Sequence, residues 1–268
     1  MNVAVFGLGE AGSRFAADLA GLGVTVVGFD PAGVATPSGV QRVDDPARAV
    51  AGAQLVIALT AAADAPQALA QALSAIPGDA VYADLSTAGA DLKRSLAATA
   101  ADREMPFADV ALMAMVPGHG LHTPSLASGS GAAAYRALLA AVGVTVEAIS
   151  DQAGDAATRK LLRSAFMKGL AAVVIEAMAA AEAAGQQQWL WDNLVEEVTA
   201  AGEPWLSRLV SGTGPHAQRR LHEMEASVAL LTELGIDPLM TRSTVESLRR
   251  VVRDGVPAVP PAPDDPAD

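Results

Sequence analysis

Short apolar runs alternate with Ala- and Leu-rich stretches through the first half of the chain. The first run, Met1–Phe6, breaks into glycines, gives way to a helical repeat through Leu19, and is followed by a second run, Val24–Phe29, ending at Asp30. Continuous apolar runs bounded by turn residues predict strands buried on both faces. The pattern repeats. Gln54–Thr60 predicts a strand, Ala65–Ala75 a helix, Pro77-Gly78 a turn, Ala80–Leu85 a strand and Ala90–Ala101 a helix. Phe107–Met115 and Gly143–Ile149 predict two further strands, and Pro117–Gly131, with its Gly, Pro and Ser, a loop over a site. Strands alternating with helices are βαβ units, so residues 1–150 predict an α/β domain built on a doubly wound parallel sheet.

The pattern changes near Ser150. Asp155–Ala184 reads as one long helix, apolar on nearly every side, which predicts burial among other helices or in a subunit interface. Gln187–Ala200, Glu203–Leu209, His216–Leu234 and Met240–Asp254 predict further helices, and no strand candidate of comparable strength follows Ile149. Residues 151–255 therefore predict an all-helical domain, joined to the first by the long helix and suited to binding substrate and to dimerisation. Residues 256–268, Pro- and Asp-rich, predict a disordered tail. No internal repeat is present.

The glycine break carries the first chemistry. Gly7-Leu8-Gly9-Glu10-Ala11-Gly12 has the G-x-G-x-x-G spacing between a predicted strand and a predicted helix. Gly7 permits the tight turn, Gly9 lets backbone amides approach a pyrophosphate, and Gly12 lets the helix pack against the sheet. The amides and the positive helix end then face phosphate. Asp30, at the tip of the second strand, is placed to accept the adenosine ribose hydroxyls. A Rossmann-type dinucleotide site is expected. A carboxylate at position 30 repels a 2′-phosphate and no Arg follows in Pro31-Ala32-Gly33, so NAD is preferred, with NADP the alternative.

Composition narrows the partners. The chain has 268 residues, is 51% hydrophobic and 4% aromatic, has a net charge of −12, and contains no cysteine. The acidic balance and scarce aromatics argue against a nucleic-acid surface. The missing cysteine excludes disulfides and thiol catalysis and fits a reducing cytoplasm. No uninterrupted apolar run reaches membrane-spanning length, so no membrane association is expected.

A nicotinamide enzyme that oxidises an alcohol needs a base beside the hydroxyl. The chain has three lysines: Lys93, Lys160 and Lys168. Lys160, Ser164 and Lys168 fall at i, i+4 and i+8 of the long helix, one polar stripe on an otherwise apolar element, with Arg159 and Arg163 alongside. Arg159 reads as a solvated edge. Spacing alone leaves Lys160 and Lys168 both open as the proton-transfer group.

The GLGEAG turn, the DLST at Asp84–Thr87 and the helix start GDAATRKLLRS together resemble the β-hydroxyacid dehydrogenases, relatives of 6-phosphogluconate and 3-hydroxyisobutyrate dehydrogenases. That family's helix motif is G-x-G-x-x-x-K-x-x-x-N. Gly154 and Lys160 match its first glycine and its lysine, which selects Lys160 over Lys168. Ala156 and Ser164 replace the second glycine and the asparagine. The resemblance implies that Ser86 and Thr87 lie near the nicotinamide and that Thr60 borders the cofactor. RSAFMKGL and HAQRRLHEMEASVALLTELG resemble a less characterised branch with a phosphogluconate-dehydrogenase-like helical domain, in which His222 stands where better-known members carry lysine.

The same resemblance exposes departures. In place of the family's D-x-P-V-S-G-G substrate loop the chain has Asp109-Val110-Ala111-Leu112-Met113-Ala114-Met115. Met113 stands where a serine would meet a substrate carboxylate, so familiar substrates are not expected to fit. Met113 and Met115 read equally as lining an apolar pocket or as core fillers. His119 and His122 lie in the Gly/Pro loop, where His119 is a candidate substrate contact, and His216 precedes Arg219-Arg220. HEMEA at His222–Ala226 lacks the second histidine of H-E-x-x-H, so no metal site is expected. The expectation is hydride transfer between a nicotinamide cofactor and a small hydroxy-acid-like substrate. Lys160 would move the proton, and Ser164, Lys168 and His222 would stand near an anionic substrate in a homodimer packed through the helical domains. An imine or small-carbonyl reductase, or a non-catalytic redox sensor, are the alternatives.

Overall fold

A computed structural model describes residues 1–260, in two compact units that divide between Ser164 and Ala165. The part of the predicted tail from residue 261 onward lies outside the described residues; residues 255–260 carry no regular structure.

The first unit starts with strand β1 (Asn2–Phe6), helix α1 (Glu10–Gly21), β2 (Thr25–Phe29), β3 (Val40–Arg42), α2 (Pro46–Val50), β4 (Leu55–Ala58) and α3 (Ala65–Ala72). It continues with β5 (Val81–Asp84), α4 (Ala90–Ala101), β6 (Phe107–Leu112), a 3-10 turn at Gly120–His122, β7 (Ser125–Ser128), α5 (Ala132–Ala140) and β8 (Glu147–Ser150). The eight strands form one sheet in the order β3-β2-β1-β4-β5-β6-β7-β8. The first six are parallel. β7 pairs antiparallel with β6, and β8 pairs parallel with β7.

Alternation builds the two layers. Val3 and Val5 of β1 and Leu55 and Ile57 of β4 point to one face, packing with Phe15 and Leu19 of α1 and Tyr135 and Leu139 of α5. Ala4 and Phe6, with Val56 and Ala58, point to the other, against α2, α3 and α4. Both faces are covered, which is why the strands read as continuous apolar runs. Truncating a fully buried ring such as Phe6 costs about 3–5 kcal/mol.

Two expectations need correcting here. The stretch expected to be a loop, 117–131, contains β7, whose SLAS sequence is too short and too small-sided to stand out from its Gly- and Pro-containing flanks. β3 and α2 also lie where no element was expected.

Helix α6 (Asp155–Ala183) crosses the division between the units. The second unit adds α7 (Gln187–Thr199), α8 (Glu203–Ser211), α9 (Ala217–Glu233) and α10 (Leu239–Asp254). Its one buried cluster among the described residues is small: Leu221 of α9 with Val245 and Leu248 of α10, flanked by Met224 and Val228. Much of the apolar surface of α6 stays exposed in the single chain, with Leu162 at 68% and Ile175 at 70%. Among the described residues α6 is the one helix long and apolar enough, by length and composition, to cross a membrane, with a mean hydropathy of 1.5. Lys168 and Glu176 interrupt it, and Glu176 is tied to α10: its carboxylate accepts from the Met240 and Thr241 amides at 2.8 Å each and from the Thr241 hydroxyl at 2.6 Å.

Candidate functional site

Parallel pairing puts the C-terminal ends of β2, β1, β4 and β5 along one edge of the sheet, and every expected cofactor residue of the first unit sits there. Asp30 follows β2, Gly7 follows β1, Thr60 follows β4, and Ser86 and Thr87 follow β5. Three strand spacings, roughly 14 Å, separate the first from the last. A ligand that spans both must therefore be elongated.

The glycine turn has the geometry its spacing requires. Gly7 has φ +85°, and a Cβ there would stand 2.5 Å from the Leu59 carbonyl oxygen; a Cβ on Gly12 would stand 1.8 Å from the Gly7 oxygen. A Cβ on Gly9 would meet nothing within 4 Å, so open space lies in front of the loop. Glu10 and Ala11 open α1, whose first amides have no capping side chain. Beside the turn lies a cleft of about 390 Å³, lined among others by Gly7, Gly9, Asp30, Thr60, Asp64 and Gln67. The Thr60 hydroxyl oxygen is buried without a hydrogen-bond partner. A bound group at this edge would satisfy it.

The Asp30 carboxylate accepts from the Leu8 amide at 2.6 Å and from the Ala32 amide at 2.8 Å, tying the glycine turn to the loop after β2. Arg42 of β3 donates to the carbonyls of Asp30, Ala32 and Val34 and so fixes that loop from below. Nothing in the sequence spacing pointed to Arg42, because β3 was not expected.

At the other end of the edge, the Lys160 ammonium donates to the Thr87 hydroxyl at 3.1 Å. Lys160 and Thr87 lie 73 positions apart in sequence. A group of buried charges stands behind this contact. Lys93 of α4 is 1% exposed and places its ammonium 2.9 Å from the Asp84 carboxylate, 3.2 Å from the Asp109 carboxylate and 2.8 Å from the Asp84 carbonyl. Asp84 also accepts from the Ser86 amide and hydroxyl. The second oxygen of Asp109 accepts from the Ser128 hydroxyl and from the amides of Gly154 and Ala157, at the start of α6. The Ala156 amide donates to Ser128. Two carboxylates face one ammonium. The excess negative charge sits at the positive end of α6, where helix amides stabilise it. Sequence spacing carries no sign of this triad: Lys93 stands outside the long helix, and Asp84 and Asp109 stand in separate motifs.

Burial also acts on two tyrosines of this unit. Desolvation, helped by the Asp84 charge, pushes the Tyr82 hydroxyl up, and desolvation alone pushes Tyr135 up. Both rings stay neutral and serve as core.

The remaining expected residues are less gathered. Met113 is half-buried and its amide donates to the Pro124 carbonyl, whereas Met115 is 78% exposed and fills no core. His119 and His122 are exposed, with His119 Nδ1 3.1 Å from the Met115 carbonyl oxygen. Their loop is held to α1, where Asp18 accepts from the Leu121 amide at 2.8 Å. Ser164 ends the first unit; Lys168 and His222 belong to the second, and His222 meets Gln218 at 3.1 Å. Arg159 pairs on the surface with Glu147. No group of three or more His, Cys, Asp or Glu side chains able to hold a metal occurs among the described residues.

Residues 2–142 match the family model described as the NAD binding domain of 6-phosphogluconate dehydrogenase, and residues 181–251 match a domain of unknown function, DUF1932. A curated relative from Methanothermus fervidus, described as an uncharacterized 28.5 kDa protein in the 7S RNA 5′ region, is 27% identical over 114 residues. That match spans 42% of this chain and 45% of the relative's length. Among solved structures, an imine reductase from Aspergillus terreus in complex with NADPH4 and dibenz[c,e]azepine is 22% identical, with 95% and 94% of the two chains covered and a TM-score of 0.77. A variant imine reductase from Myxococcus stipitatus in complex with NAD+ is 20% identical, covering 95% and 94%, with a TM-score of 0.78. A conserved protein of unknown function, described as structurally similar to 3-hydroxyacid dehydrogenases, is 26% identical, covering 94% and 96%, with a TM-score of 0.62.

Proposed function

We infer that this chain, which belongs to the family of the NAD binding domain of 6-phosphogluconate dehydrogenase, transfers hydride between a nicotinamide cofactor and a small hydroxy-acid-like substrate. The observation that carries the reading is the 3.1 Å contact between the Lys160 ammonium and the Thr87 hydroxyl, at the far end of the edge that begins at Asp30. The glycine turn and the unpartnered Thr60 hydroxyl fit a dinucleotide laid along that edge. The cofactor, when bound, supplies the hydride acceptor or donor. In oxidation Lys160, as the neutral amine, takes the substrate hydroxyl proton, and in reduction, as the ammonium, it gives that proton back. Thr87 holds the ammonium in place, and Ser86, tied to Asp84, fixes the turn that carries Thr87.

NAD is the preferred cofactor. Asp30 and Asp64 both line the cleft and no Lys, Arg or His does, so a 2′-phosphate would meet carboxylates without a cation. The Arg42 guanidinium is turned to backbone carbonyls. The substrate is anionic, and the chain works as a homodimer packed through its helical part, which covers the exposed apolar residues of α6 and α7.

A second reading, reduction of imines, is favoured by one observation. Met113 and the exposed Met115 supply no donor for a carboxylate where the family's loop carries serine. A panel of hydroxy acids, hydroxy amino acids and cyclic imines, followed by NADH absorbance with NAD(H) and NADP(H) compared, separates the readings. Turnover of a hydroxy acid with NAD preferred is expected. Turnover of imines alone supports the second reading. Activity with NADP(H) far above NAD(H) overturns the role given to Asp30, and inertness toward the whole panel with both cofactors overturns both readings.

A further inference from the structure

We propose that Lys93 is a positioning residue: through Asp84 and Asp109 it sets the distance between Thr87 and Lys160. The inference rests on the reading of Lys160 as the proton-transfer group. Thr87 and Lys160 lie on separate elements, and each is suspended from the same buried ammonium. On one side Lys93 grips the Asp84 carboxylate and carbonyl, and Asp84 holds Ser86, the neighbour of Thr87. On the other it grips Asp109, whose second oxygen holds the amides of Gly154 and Ala157, one turn before Lys160 on α6. The chain of contacts closes at the Lys160–Thr87 hydrogen bond.

Two features indicate more than a stabilising ion pair. The triad is completely desolvated, with Asp84 and Asp109 at 0% and Lys93 at 1% exposed, so its geometry is not averaged by water. Its members come from β5, α4 and β6 and reach the first turn of α6, so a shift of Lys93 is passed to both ends of the contact. Displacements of about 1 Å at a reacting group cost roughly 10²-fold in rate.

The chain contains only three lysines, so protein labelled with 13C at lysine Cε gives three side-chain signals, with that of Lys160 identified by its loss in Lys160→Met. Two variants carry the test. Lys93→Met removes the cation. Asp109→Asn is isosteric, leaves one ammonium facing one carboxylate, and is expected to fold even if the first variant does not. With NADH bound, the Lys160 signal and its titration midpoint should move in each folded variant while the Lys168 signal stays. The kcat on the best substrate should fall about 10²-fold, with NADH affinity within about threefold of the parent. A folded Asp109→Asn protein with the Lys160 signal, its titration and kcat unchanged overturns the proposal. If Lys160→Met keeps full turnover, the functional reading fails instead, and a displaced Lys160 signal in Asp109→Asn would still stand apart from it.

Discussion

The two units solve the same local problem in opposite surroundings. In each, a carboxylate from a distant element caps the start of a helix: Asp109 receives the amides at the head of α6, and Glu176 those at the head of α10. Asp109 is sealed in a core with Lys93 and Asp84, whereas Glu176 is half-buried with no cation on its hydrogen-bonded oxygens. Desolvation, the largest single influence on Glu176, pushes its carboxyl up, but the hydrogen bonds from the Thr241 hydroxyl and the backbone amides of Met240, Thr241 and Leu239 together outweigh it. The Glu176 carboxyl therefore sits below the ordinary 4.5. Solvent supplies much of what Glu176 needs, while Asp109 depends on its neighbours. The buried cap is thus held in a geometry that water does not average, and the half-buried one mainly holds two helices together.

Breaking the buried side should have the largest effect. Lys93→Met leaves two carboxylates facing each other without their cation and should cost about 3–5 kcal/mol in a urea unfolding curve. A cost below about 1 kcal/mol would remove the contrast between the caps. Glu176→Gln should cost only about 1 kcal/mol by the same measurement, because water replaces part of what is lost. The smaller difference should also depend on pH. A depressed carboxyl contributes stability that is full above 4.5 and disappears as pH falls through the folded value. The gap between parent and Glu176→Gln should therefore close below pH 4.5, and a gap that widens there would reverse the assignment. Ile175→Glu, on the exposed face of α6, should leave the unfolding of a single chain almost unchanged. It should instead shift the species seen by light scattering from dimer to monomer; a parent that is already monomeric would remove the proposed pairing.

What could be read from the sequence divides within the first unit. The glycine turn, the strands around it and the Lys160 helix were legible because each is a contiguous pattern, in which backbone geometry or periodicity dictates the residue type. The triad was not, because Asp84, Lys93 and Asp109 meet only when β5 and β6 lie side by side with α4 packed across them. A lysine in an Ala-rich helix carries no mark of burial. β7 was hidden for a different reason: its Ser and Ala side chains give too little apolar contrast, and its place is set by pairing with β6. The hydrogen bond from the Leu8 amide to Asp30 arises where two loops meet and has no linear signature.

The most direct measurement is single-turnover hydride transfer in Lys160→Met, with NADH binding followed in parallel by fluorescence. Loss of the proton-transfer group should lower the rate by 10²–10⁴-fold, an order-of-magnitude range for general acid–base catalysis, while NADH affinity stays within about threefold of the parent. A variant that transfers hydride at the parent rate would contradict the assignment of Lys160 and, with it, the chemistry placed at this edge of the sheet.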